Sequence, residues 1–202
     1  MKLSPLLVAA ALLSTQDDSK NPIAQGLGPP ASAQESGSLQ PGPPEPPPAV
    51  VGLNDIAPDF SYQATDGRWR RLRDMLLTGP VLLVFGANDP VLRSIEHERG
   101  SLTDLGVIPV VVMESRNSSA RSTVQRLNLQ YTVIADSRSV IAAQFNAVHP
   151  ATGRQLPSLF VIDRARRVRA LDHRSLPVRG YVALVANALG IAERDVTLPA
   201  AR

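Results

Sequence analysis

The sequence predicts an α/β sandwich, in which a central mixed β-sheet is flanked by helices. Three observations carry this. Pro80-Val81-Leu82-Leu83-Val84-Phe85 and Val107 to Met113 are continuous apolar runs of strand length, the pattern of strands buried on both faces, and Ser158 to Asp163 is a third, largely apolar run. The segments after the first two runs carry apolar residues at helical spacing. The third run is followed, across a turn, by Arg167 to Leu171, which reads as a strand pair. Strand, helix, strand, helix, hairpin and terminal helix together make a layered α/β domain.

Taken in order, the first run ends in Gly86-Ala87-Asn88-Asp89-Pro90, a break before a helix. Val91 to Leu105 has apolar residues at 91, 92, 95, 102 and 105, a helix with Asp89 or Ser94 near its start. Ser118 to Leu127 places Ala120, Val124 and Leu127 on one helical face. Thr132 to Ala135 reads as a short strand or extended segment, and Ser139 to Phe145 as a helix. Val178 to Leu189 is an amphipathic helix, with Gly190 suited to end it. No internal repeat is visible.

The first 50 residues read differently. One lysine, Lys2, precedes an apolar stretch from Leu6 to Leu13. That is the shape of a secretory signal and is too short to span a bilayer. Residues 1–20 are therefore expected to direct export or to anchor the chain near a membrane, an extracytoplasmic location. Nine of the 18 prolines fall between Asn21 and Val50. This composition cannot bury a core and is expected to be a disordered spacer. The folded domain is expected over 51–191, with 192–202 as a tail.

Composition excludes several functions. The chain has no cysteine, so it has no disulfide, no thiolate metal site and no thiol nucleophile. Between Val51 and Ile191, 17 arginines face 12 acidic residues. That excess is too small to require nucleic acid as a partner. His97, His149 and His173 lack metal-ligand spacing. Glu96 and Glu98 beside His97 read as a solvated helix face. No Gly-rich phosphate loop or Gly-x-Ser-x-Gly elbow is present. Asn117-Ser118-Ser119 is a glycosylation acceptor only in a eukaryotic secretory route. No cofactor is implied.

Four segments carry a family resemblance. Gly52 to Phe60, with Ala57-Pro58-Asp59-Phe60, is followed by Asp66-Gly67-Arg68-Trp69-Arg70-Arg71-Leu72, a hairpin with an Asp-Gly turn. Pro80 to Phe85 comes next, and then Leu156-Pro157-Ser158-Leu159-Phe160-Val161-Ile162-Asp163. Tyr131 to Phe145, with Asp136, fits the same layout. Together these resemble the thioredoxin-like superfamily, in its alkyl hydroperoxide reductase and thiol-specific antioxidant branch. The resemblance implies a thioredoxin-like fold over about 51–191, a cis-proline at Pro157, and an active-site loop after Phe85. It also implies peroxide or disulfide chemistry at a cysteine in that loop.

The departure falls on that loop. Asn88, Asp89, Pro90 and Ser94 occupy the place of the reactive site, as a vestige of it. Asp89 there is expected to cap the helix, and Ser94 has no evident base to activate it. A concave surface by Asn88, Asp89 and Pro157 is the expected place for a ligand. The reading that follows is a non-catalytic module that binds a protein or small ligand. The alternative is an oxidoreductase working through another residue or a recruited cofactor. Two arginine clusters remain: Arg68, Arg70, Arg71 and Arg73 around Trp69, and Arg164, Arg166, Arg167 and Arg169. They read either as a basic surface for an acidic partner or anionic lipid, with Trp69 as an anchor, or, more simply, as solvent-facing hairpin positions that blunt sheet edges.

Overall fold

An arm from Val51 to Phe60 leads into a two-stranded antiparallel hairpin, β1 (Ser61–Gln63) and β2 (Trp69–Arg71). The computed structural model describes residues 51–64, 67–173 and 175–191. The expected signal, spacer and C-terminal tail, and Asp66 of the Asp-Gly turn, lie outside these residues. Gly67 is described, and its φ of +80° suits a glycine in that turn. Helix α1 (Leu72–Thr78) follows directly.

The large sheet has the order β5-β4-β3-β6-β7. Its centre is β3 (Val81–Phe85), whose five residues are all buried. It runs parallel to β4 (Ile108–Met113), which is parallel in turn to β5 (Thr132–Ala135). On the other side it pairs antiparallel with β6 (Ser158–Ile162), which pairs with β7 (Val168–His173). The expected mixed sheet is therefore present. Crossovers between the parallel strands are made by α2 (Asp89–Asp104) and α3 (Asn117–Leu127); α4 (Val140–Gln144) and α5 (Tyr181–Leu189) complete the layers.

Strand alternation sorts the core into two layers. Val81, Leu83 and Phe85 point to one side, with Leu72 and Met75 of α1, Ile141 of α4, and the arm residue Phe60. Leu82 and Val84 point to the other, with Leu92 and Ile95 of α2 and Tyr181 and Val185 of α5. In the first layer Phe145 packs on Phe60, Phe85 and Phe160 at centroid distances of 5.9, 5.5 and 5.1 Å. Such tilted and edge-on contacts add to the burial of each ring.

Two helix starts differ from expectation. α2 is capped by Asn88, whose Oδ1 accepts from Val91 N at 3.2 Å; Asp89 is the first helical residue and not the cap. α5 begins at Tyr181, three residues beyond Val178, because Gly180 holds φ at +87° and turns the chain before the helix. Its end is at Gly190 as expected, with φ of +67°.

Candidate functional site: the loop after β3

The loop is shaped by a close backbone approach. Gly86 has φ of +64°, and a Cβ there would lie 2.9 Å from Pro157 N and 3.0 Å from Leu156 C. Only glycine fits both the backbone angle and the space. The end of β3 and the segment before β6 thus meet at Gly86 and Pro157, as their antiparallel pairing of Phe85 with Ser158 requires.

Asn88 caps α2, and Asp89 and Pro90 open its first turn. A helix start normally presents several unpaired N–H groups able to hold an anion. Here Pro90 has no N–H, and the N–H of Val91 is taken by Asn88. The position also carries its own anion. Arg126 of α3 donates from Nη1 and Nη2 to the two carboxylate oxygens of Asp89, at 2.5 and 3.0 Å. This fork-to-fork pair is the main cause that holds the Asp89 carboxyl below its ordinary range. The anionic carboxylate at this helix start is thus compensated by the Arg126 guanidinium.

Ser94 does not join this turn. It is half-buried one helical turn further along α2 and, with Pro90, lines a groove of about 1020 Å³ between α2 and α5. Asn88, Asp89 and Pro157 are not among the residues of that groove. The expected vestigial site is therefore divided, with Asn88 and Asp89 at the helix start, Pro157 against Gly86, and Ser94 in the groove.

The arginine clusters lie on different elements. Trp69 is 72% exposed on β2 and shares a small polar concavity with Arg70, Arg71 and Arg73. Arg73 pairs with Asp59 at 2.9 Å, so it is partly engaged. In the second cluster Arg164 donates to Thr78 O, Arg167 to Asn54 O, and Arg169 to Asp163 at 2.7 Å. Arg166 turns the chain at φ +62°, and its carbonyl accepts from Ala57 N. Arg166 and Arg167 fasten the N-terminal arm to the β6–β7 turn, and Arg164 ties that turn to the end of α1, roles that sequence spacing does not reveal.

The histidines are separate as well. His173 Nδ1 lies 3.2 Å from the Oγ of buried Ser158, and its ring packs on Phe160. His149 Nδ1 accepts from Ala151 N. Glu98, beside His97, reaches α5, where its carboxylate accepts from Gly180 N and Val182 N at 2.8 and 2.9 Å. Glu96 accepts from Gln130 N and pairs with Arg99. Among the described residues, no cluster of three or more His, Asp or Glu is placed to hold a metal ion. No described helix is long and apolar enough to cross a membrane.

Sequence reasoning missed Arg126 and the capping role of Glu98. Both act across 37 or more residues of chain, and no local pattern announces such contacts.

A mixed five-stranded sheet, with its site loop between a buried central strand and a helix and facing the Pro157 segment, is the thioredoxin-like fold in its peroxiredoxin form. Solved structures agree in fold. The peroxidoxin BcpB of Mycobacterium tuberculosis is 20% identical with a TM-score of 0.61, covering 70% of this chain and 99% of that one. The AhpC of Enterococcus faecalis is 17% identical with a TM-score of 0.59, covering 74% and 99%. Thioredoxin peroxidase I of Plasmodium yoelii is also 17% identical, with a TM-score of 0.59 and coverage of 74% and 97%. No curated protein matches. The model of the AhpC/TSA family matches residues 53–171, and the chain belongs to that family.

Proposed function

We propose that this protein is a non-catalytic member of the AhpC/TSA family that binds a protein or small ligand. The observation that carries the reading is the complete lack of cysteine, in a fold whose relatives include a thioredoxin peroxidase by name. Thiol-dependent peroxide reduction needs a thiolate that attacks oxygen, becomes a sulfenic acid and is reduced again. No other side chain here both attacks in that way and is regenerated. Methionine does not replace it. Met75 is buried on the core face of α1, and sulfoxide formation there or at Met113 would consume the residue. The Asp89–Arg126 pair supports the same reading, because it already fills the helix start with a compensated charge. The positive N-terminal residue and apolar run support export of the domain.

The test is peroxide consumption by the purified full chain with a thiol reductant. No turnover above the protein-free rate is expected. Sustained turnover by metal-free and cofactor-free protein overturns the reading.

A further inference from the structure

We propose that the groove between α2 and α5 binds a small amphipathic carboxylate, an apolar chain ending in one carboxylate group. This rests on the binding-module reading above and assigns it a site and a ligand class.

The groove has about 1020 Å³ and is lined by the outer face of α2, the loop before α5 and α5 itself. Ligand sites of this size are mostly apolar, with a few polar groups that set orientation. Here the apolar wall is made by Val178, Ala183 and Ala186. Val178 is 61% exposed, an apolar side chain with little protein against it. The polar groups are cationic. Arg93 of α2 and Arg179 of the loop both line the groove and are both exposed. Neither makes a hydrogen bond or ion pair among the described residues.

The acids nearby do not satisfy these arginines. Glu98 also lines the groove, but its two oxygens accept from Gly180 N and Val182 N. The two oxygens of Asp89 are held by Arg126, and Arg93 acts on Asp89 only through space. Two guanidinium forks therefore remain available beside an apolar wall. A carboxylate fits a guanidinium with two parallel hydrogen bonds. A compact inorganic anion would use the arginines and leave the wall wet. A neutral apolar molecule would use the wall and leave the arginines idle. An amphipathic carboxylate uses both.

The test is a calorimetric titration of the full chain with octanoate, with octanol and octylamine as controls. Saturable octanoate binding is expected, at least about tenfold tighter than octanol, with octylamine weaker still. The double variant Arg93→Gln/Arg179→Gln is expected to weaken octanoate binding by about tenfold or more, with an unchanged circular dichroism spectrum. Ala183→Trp places an indole in the groove and is expected to block binding. Equal affinity for octanol, unchanged affinity in the double variant, or no saturable binding by the folded chain each overturns the proposal. None of these results bears on peroxide turnover, so the two readings fail separately.

Discussion

Three residues show how tightly this loop is specified. Gly86 combines a left-handed backbone with a gap too small for a methyl group, against backbone atoms of Leu156 and Pro157 that have no flexible end to move. Gly86→Ala is expected to destabilise the fold by about 2 kcal/mol or more, from the left-handed cost plus the clash. The shift in the urea midpoint measures this, and a shift close to zero would show that the loop is free to relax. Asn88 and Asp89 divide two tasks that the sequence assigned to one of them. Both are good capping residues by type. The choice falls on Asn88 because Asp89 is drawn to Arg126, a tertiary contact that no rule of spacing anticipates.

At the scale of elements, carboxylates hold helix starts that lack caps of their own. Helix α4 has five residues and no side-chain cap from Ser139. Buried Asp136 supplies the acceptors instead, to Val140 N, Ile141 N and Ala142 N at 2.8 to 3.1 Å. Asp136→Ala strips three donors of their partner and is expected to cost about 2 kcal/mol, read from thermal or urea unfolding. A loss of only a few tenths would mean that water replaces the carboxylate. The strands β3, β4 and β6 were legible because burial on both faces writes itself as unbroken apolar runs. The start of α5 was not, because Val178 continues the apolar pattern while Gly180 interrupts the backbone. The α2–α5 groove was not legible either, because its walls come from segments about 80 residues apart. The break between β3 and α2 falls where the apolar run ends in the sequence, but the parting of Ser94 from Asn88 depends on how a helix turns its faces.

At the scale of the molecule, the described fold opens on Val51. This residue is buried in the first core layer, and its N–H donates to Asn146 Oδ1 at 2.9 Å. We propose that the fragment 51–191 folds alone, with the thermal midpoint of the full chain to within a few degrees. A fragment that is unfolded, or far less stable, would show that flanking residues contribute to the core. The two layers also predict the alkaline behaviour. Burial is the main cause that raises the phenol pKa of Tyr131 and Tyr181 above the ordinary 10.0. Their hydroxyls donate to Leu92 O at 3.0 Å and to Pro177 O at 2.7 Å. Both stay neutral in the folded state while the unfolded chain ionises near 10.0. The stability they lend is full below that pH and declines as pH rises above it. Ultraviolet titration is expected to show both phenols ionising together with the loss of circular dichroism. Ionisation of more than one of the three tyrosines near 10 in a chain that keeps its native spectrum would contradict this.

The place of β3 at the centre of the sheet has a consequence for biosynthesis. One edge of β3 is covered by β4, which leaves the ribosome soon after it, whereas the other waits for β6. About 70 residues separate Phe85 from its partner Ser158. At ordinary translation rates the delay is roughly 4–15 s. Throughout that interval the nascent chain carries an unpaired edge of Val81-Leu82-Leu83-Val84-Phe85, the kind of strand most prone to pair with a stranger. A ribosome-bound chaperone that shields this strand until β6 emerges would therefore determine how much of the protein escapes aggregation during synthesis.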